Sequence, residues 1–304
     1  MTTIDKKVEP SERPLVTIVM PHWNTLPYIT DAVESIARQT FRSNGGNLEV
    51  KIIDDGSSEH EFLILKGMLE SVKHYDWGKT LIRSLYKFSH RGKNRVLEAV
   101  KPYIDVNKSK YTIVADSDDI FGPHFVQILF NCIEKARASN PNVVMAYGDS
   151  ILINERGYCV GTATAPDFDR DLYFGTDGKG GSNFIPGNAI VLTERFLAGR
   201  PHDLDTANRD KLFRHMAELG DNGAAVHVAD RIYFYRQRDG QMSGHGQQLE
   251  DVEFFARLPE DVPKLHWREW VNLPRTEQLQ LLTRMPNADT SAWNHYLIQP
   301  CQAQ

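Results

Sequence analysis

Cysteine is scarce in this sequence. Cys132, Cys159 and Cys301 are the only three in 304 residues, and no Cys-x-x-Cys pair occurs. That gives no support to a thiolate zinc site and fits a reducing compartment better than a secreted disulfide scaffold. Positive charge is also short: 35 Lys and Arg face 40 Asp and Glu, a net charge of −5. Nothing pulls the whole chain towards nucleic acid or anionic lipid, so a nucleic-acid partner is disfavoured, although a local basic groove is still allowed. No apolar run approaches the ~18 residues that suggest a membrane span. Residues Met1 to Arg13 are polar and charged, without an apolar leader segment. The expectation is a cytoplasmic chain with no membrane span. Internal repeats and low-complexity tracts are missing. So is a Gly-x-Gly-x-x-Gly after the first apolar run, which counts against a dinucleotide-binding dehydrogenase.

What is present is an alternation of buried-strand and helix patterns. At about 150 residues per domain, the length suggests about two domains, or one large α/β domain with an appendage. The β-branched run Leu15 to Met20 is the first expected strand, closed by Pro21. After Pro27, residues Ile29, Ala32, Val33 and Ile36 recur at helical spacing. Strands are expected at Leu48–Ile53, Thr80–Tyr86, Tyr111–Ala115 and Val143–Tyr147. Helices are expected around Phe62–Val72, Asn94–Tyr103 and Phe125–Ala138. This order implies βαβ units and a mostly parallel sheet with helices on both faces. Past residue 150 the pattern loosens. Short strands are expected at Ala189–Leu192, Ala225–Val228 and Arg231–Tyr235, and helices at Asp205–Leu219 and Thr276–Leu282.

The acidic clusters fall where two of these strands stop. Asp54-Asp55-Gly56-Ser57 follows one, and Asp116-Ser117-Asp118-Asp119 follows another. Ligands of open parallel sheets bind outside the carboxyl ends of the strands, so both clusters should face one ligand. Carboxylates this close repel unless a cation or hydrogen-bond donors stabilise them. A hard divalent ion with oxygen ligands is the natural partner, and it usually brings a phosphate. Either cluster alone reads equally well as a turn or a helix cap. Their order within one alternating segment carries the signal.

Three motifs in that order resemble the family 2 glycosyltransferases: Val16-Thr17-Ile18-Val19-Met20-Pro21-His22-Trp23-Asn24, then Ile52-Ile53-Asp54-Asp55-Gly56-Ser57, then Val114-Ala115-Asp116-Ser117-Asp118-Asp119. The resemblance extends to Asn94, to Asp210-Lys211-Leu212-Phe213-Arg214 and to Tyr233-Phe234-Tyr235-Arg236-Gln237, and covers roughly residues 14–245. It implies a GT-A fold, a mostly parallel Rossmann-like sheet flanked by helices. It divides the chain into a flexible N-terminus (1–13), a nucleotide-sugar-binding half (14–150), an acceptor-side half (151–246) and a helical or irregular C-terminal extension (247–304).

The resemblance also implies roles. Pro21 and Trp23 would line the base pocket, with Asn24 beside them. Asp55 would accept from the imide N–H of uracil. Asp116 and Ser117 would face ribose or sugar. Asp118 would ligate Mn2+ or Mg2+ on the pyrophosphate, and Asp119 would support the loop. Lys93, Asn94 and Arg236 would bind the donor, with Arg238 a further pyrophosphate candidate. Asp210 would be the base that takes the acceptor's proton, at a position where the family carries a Glu-Asp pair and this chain has Arg209-Asp210. Its alternative is a helix-surface residue paired with Arg214 at i+4. Arg238 stands where the family's metal-binding His is expected, which leaves His245 or Asp239 as the third ligand. A Ser243-Gly244-His245-Gly246 loop would close over the donor. Gly187 and Asn188 would touch donor sugar or acceptor, or merely turn the chain into a strand. His22, His90 and His215 read as structural. Trp267, Trp270 and Trp293 read as packing before they read as a sugar-stacking platform.

The function implied is metal-dependent, inverting transfer of a sugar from a UDP-sugar to a hydroxyl acceptor, a glycan or glycoconjugate. Two other readings compete. A nucleotidyltransferase would carry a Gly-rich basic loop after the first strand, where this chain has Pro-His-Trp-Asn. An inactive sugar-nucleotide or glycan-binding module is kept open by Arg209 and the missing His. Association of the chain with copies of itself is also left open.

Overall fold

The computed structural model describes residues 16–42, 44, 46–72, 81–89, 92–175, 184–199, 210–237 and 264–285. Strand β1 (Val16–His22) is a β-branched run buried almost throughout. It lies between β2 (Leu48–Asp54) and β4 (Tyr111–Val114), parallel to both, and β3 (Leu81–Lys87) adds to β2 in the same direction. Burial on both faces explains why these strands read as continuous apolar runs rather than alternating ones. Pro21 does not end β1. It sits in register with Ile53, and the strand runs on to His22.

Helices α1 (Leu26–Ala37), α2 (Glu59–Val72) and α3 (Lys93–Val100) connect these strands. Pro27 lies in the first turn of α1, where its missing N–H costs nothing, and Ile29, Ala32, Val33 and Ile36 face the core. Glu59 and Glu61 lie in the first turn of α2, where negative charge suits the helix dipole. The helix expected over Asn94–Tyr103 becomes α-helix to Val100 and then a 3-10 turn over Lys101–Tyr103. Pro102 lacks the N–H that would continue the α pattern.

The sheet continues past β4 in mixed orientation, in the order β3-β2-β1-β4-β8-β6-β9-β5, with β7 on β6. After α4 (Phe125–Ser139), β6 (Val143–Ile153) is fully buried and outruns the expected Val143–Tyr147. Strand β8 (Ile190–Leu192) runs antiparallel to both β4 and β6. Strand β9 (Ala224–Arg236) runs parallel to β6 through three register irregularities. These irregularities absorb Ala229 and Asp230, so the two short strands expected there are one. The two-residue β5 (Ile120–Phe121) and β7 (Cys159–Ala163) had no expected counterpart. Short helices α5 (Arg170–Phe174) and α6 (Thr193–Ala198) precede α7 (Asp210–Leu219). The parallel half of the sheet therefore carries both acidic stops, and the mixed half brings α7 and β9 to them.

The main core follows the sheet. A second apolar cluster joins Ile120, Ile151, Ile153 and Phe234 to Trp267, Trp270, Leu281, Leu282 and Met285. These last five lie on or next to α8 (Trp267–Trp270) and α9 (Arg275–Leu282). Trp267 and Trp270 are therefore packing residues, and Trp293 lies outside the described residues. Among the described residues, no helix is long and apolar enough to cross a membrane.

Candidate active site

Parallel register places the carboxyl ends of β1, β2 and β4 along one sheet edge. Three loops leave from that edge, and hydrogen bonds tie them together. Asp54 is buried and holds its own turn, its Oδ2 accepting from Ser57 N–H at 3.2 Å. Asp55 faces the next element: its N–H donates to the His22 carbonyl, and its Oδ2 accepts from Gly92 N–H at 2.9 Å. Gly92 has φ of 85° as it enters α3, a backbone conformation that favours glycine. Asn24 also has a positive φ, 51°, and its N–H donates to Ser57 Oγ at 3.1 Å. This turn leaves Trp23 47% exposed beside half-buried Pro21.

The β4 loop is fixed from both sides. Lys93, in the first turn of α3, forms an ion pair with Asp116. Asn94 follows it in the helix, and its side chain lies outside the described residues. Ser117 Oγ meets Thr25 Oγ1 at 2.7 Å, and Thr25 Oγ1 meets His22 Nδ1 at 2.8 Å, all within the core. Burial lowers the pKa of His22 more than the nearby Asp54 and Glu61 carboxylates raise it, so its imidazole is neutral at pH 7.

Asn188 clamps the other side. Its Oδ1 accepts from Asp116 N–H at 3.1 Å, and its Nδ2 donates to Asp119 Oδ2 at 3.2 Å. Asp119 Oδ1 accepts from Arg236 N–H at 2.9 Å, so the buried Asp119 carboxylate holds the loop to β9. Arg236 is 1% exposed. Its Nε donates to the Asp118 carbonyl at 2.8 Å and its Nη1 to the Glu155 carbonyl at 2.6 Å. Its Nη2 donates to Asp31 Oδ2 at 3.3 Å, and the guanidinium lies over the Tyr28 ring. The guanidinium is thus directed to protein acceptors around the loop.

Helix α7 reaches the same place from behind. Arg214 Nη2 donates to the Gly187 carbonyl at 2.7 Å, next to Asn188. Arg214 is directed to that carbonyl and towards Glu218, one turn further on, at 3.6 Å. Asp210 opens α7, one turn before Arg214, with its side chain outside the described residues. Glu218 is buried beneath, and desolvation pushes its pKa up to about 7 against the opposing pull of Arg214 and Lys101.

The structure therefore joins Asp55, Lys93, Asp116, Ser117, Asp118, Asn188, Gly187 and Arg236 in one hydrogen-bonded set, with Trp23, Asn24 and Pro21 at its margin. His245, Asp239, Arg238, Arg209 and the Ser243–Gly246 loop lie outside the described residues, as does His90. Among the described residues, no group of three or more His, Cys, Asp or Glu is arranged to hold a metal ion. Sequence reasoning missed Thr25, Glu218 and Asp31, and read Arg214 only as a motif residue and as the alternative partner of Asp210. Of the three missed, Asp31 alone carried a signal, as part of the polar stripe opposite the apolar face of α1.

The family model described as Glycosyl transferase family 2 matches residues 17–194. The glycosyltransferase GlyG of Streptococcus pneumoniae serotype 4 is 22% identical over 242 residues, 75% of this chain and 72% of that protein. The structure of S. aureus TarS 1–349 in complex with UDP-GlcNAc aligns with a TM-score of 0.54 at 17% identity, over 88% of this chain and 70% of that one. Mannosyltransferase PcManGT from Pyrobaculum calidifontis, in complex with GDP-Man and Mn2+, aligns with a TM-score of 0.51 at 17% identity, over 78% and 61% respectively. The structural likenesses show a shared fold.

Proposed function

Because the chain belongs to glycosyl transferase family 2, we propose that it moves a sugar from a UDP-sugar to an acceptor hydroxyl, with inversion and with a divalent ion. One observation carries the reading: two acidic loops leave the carboxyl ends of β2 and β4, the two parallel neighbours of β1, and the Lys93–Asp116 ion pair closes one side. Pro21, Trp23 and Asn24 frame the base pocket, and the Asp55 carboxylate accepts the uracil N3–H. Guanine N1–H offers the same donor. TarS 1–349 was solved with UDP-GlcNAc and PcManGT with GDP-Man, so this fold serves both bases.

Asp116 and Asp118 are half-buried, hard oxygen donors on one short loop. That donor chemistry fits Mn2+ or Mg2+ and not a soft ion. When bound, the ion supplies positive charge that offsets the charge gathering on the departing nucleoside diphosphate. The rest is work for the chain. Lys93 and Asn94 bind and orient the donor from α3. Arg236 and Asn188 keep the Asp116–Asp119 loop in one shape, so little reorganisation is needed during transfer. Asp210 takes the proton of the acceptor hydroxyl as its oxygen bonds to the anomeric carbon. The bond from that carbon to the diphosphate oxygen breaks on the opposite face. This step asks for a carboxylate within hydrogen-bond reach of the acceptor hydroxyl. Gly187 and Asn188 bring the acceptor side up to the donor. The acceptor is a glycan or glycoconjugate.

A panel of UDP- and GDP-sugars, incubated with the protein and Mn2+, tests the reading by release of free nucleoside diphosphate. Release of UDP from one UDP-sugar is expected. Release of GDP alone would move Asp55 to guanine recognition, and release of neither would overturn the reading.

A further inference from the structure

The segment 264–285 lies beyond the family match, which ends at residue 194. Its contacts lead back to the acidic loop. Arg268 Nη2 donates to Asp31 Oδ1 at 2.6 Å and to Glu34 Oε2 at 3.0 Å on α1. The other oxygen of Asp31 accepts from Arg236 Nη2, and Arg236 Nε donates to the Asp118 carbonyl. Asp31 thus joins an arginine of the C-terminal segment to the arginine that grips the loop.

A second path runs through the β6–β7 turn. Arg236 Nη1 donates to the carbonyls of Glu155 and Asn154 in this turn. The C-terminal segment holds the same turn: Trp267 N–H donates to the Gly157 carbonyl at 2.9 Å, and Cys159 N–H to the Leu265 carbonyl at 2.8 Å. Gly157 has φ of +89°, and a Cβ there would stand 2.8 Å from His266 Nε2 and 2.9 Å from Trp267 Cδ1. The close approach of the segment therefore requires glycine.

We infer that the C-terminal segment is a positioning element for the Asp116–Asp119 loop, and that Arg268 is a positioning residue acting through Asp31 and Arg236. The guanidinium of Arg236 has its donors distributed among Asp118, the β6–β7 turn and Asp31. It holds the Asp118 carbonyl against supports at the β6–β7 turn and at Asp31, and residues 264–285 contact both of those supports. The contact itself is independent of the function proposed above; its consequence for donor binding rests on that function.

The test uses the full chain and the variants Arg268→Ala, Arg268→Lys, Asp31→Asn and the double variant Arg268→Ala/Asp31→Asn. Amide hydrogen exchange over residues 115–120 is followed without ligand, and KM for the donor and kcat are measured with Mn2+. Arg268→Ala should speed exchange at Asp116 and Asp119 by about 3- to 10-fold, while strands β1 and β2 exchange as in wild type. KM should rise by a similar factor with kcat changed less than about twofold, because the loop is preorganised less well before the donor binds. Arg268→Lys should restore part of both, and the double variant should be no worse than the poorer single one. Gly157→Ala, which strains the second path without touching Arg268, should produce the same pattern. Loop exchange unchanged in both Arg268→Ala and Gly157→Ala would overturn the inference, as would additive effects in the double variant. If wild type transfers no sugar, the proposed function fails while the exchange data still decide the positioning link.

Discussion

Single residues in this site do two kinds of work. Asp54, Asp119, Asn188 and Arg236 each hydrogen-bond to the loops themselves. Asp55, Asp116 and Asp118 stand at the edge those loops form. The acidic stops were legible in the sequence because aspartate ends apolar strand patterns abruptly. The roles of Asn188 and Arg214 were not, because their partners lie far away in the chain. Asn188 looked like either a sugar contact or a turn residue, and it is the residue whose amide bonds both Asp116 and Asp119. Asp210 makes the sharpest prediction at this scale. Asp210→Asn keeps size and polarity but cannot take a proton, so transfer should fall by at least about 100-fold while UDP binding stays within about twofold. Joint loss of UDP binding, measured by calorimetry, would reject its role as base.

At the scale of elements, α7 holds the Gly187–Asn188 turn and β9 holds the acidic loop. Helix α7 carries Arg214 to Gly187 and buries Glu218 near Tyr173, Lys101 and Arg214. Burial raises the Glu218 pKa from 4.5 to about 7. Between those values the folded chain keeps a proton that the unfolded chain has lost, so stability falls as pH rises from about 4.5 to about 7 and stays low above it. The size of this effect is on the order of 3 kcal/mol. Glu218→Gln carries no titrating proton. Its melting temperature should match wild type near pH 4.5 and exceed it above pH 7. A variant with the same pH profile as wild type would place the titration elsewhere. The limits of sequence reading also show at this scale. Strand β9 looked like two strands because Ala229-Asp230 interrupts its apolar pattern, and the irregular register against β6 accommodates both residues. Strand β5 has two residues, too few for any periodicity.

Across the described residues, one sheet joins the parallel strands to the mixed ones. Alternating patterns made its parallel part readable to residue 147, since strands buried on both faces leave continuous apolar runs. The mixed part was harder, because β8 joins β4 to β6 with only three residues and antiparallel direction leaves no mark in so short a run. Residues 264–285 showed no sheet pattern, and they add to the strands only the isolated bridge of His266 with Tyr158. Trp267 and Trp270 close a second core with residues of β5, β6 and β9, and Arg268 reaches α1. Helix α7 thus meets the turn before Asn188, β9 meets the acidic loop through Arg236, and the C-terminal segment reaches Arg236 through Asp31.

The central claim is that this loop holds a nucleoside diphosphate through a divalent ion. Calorimetric titration of UDP into the full chain, once with Mn2+ and once with EDTA, tests it most directly, with Asp118→Asn as the control. UDP should bind at least about 10-fold more tightly with Mn2+, a difference of about 1.4 kcal/mol, and Asp118→Asn should erase most of that gain. Equal binding in Mn2+ and EDTA, or a full Mn2+ effect in Asp118→Asn, would contradict the account.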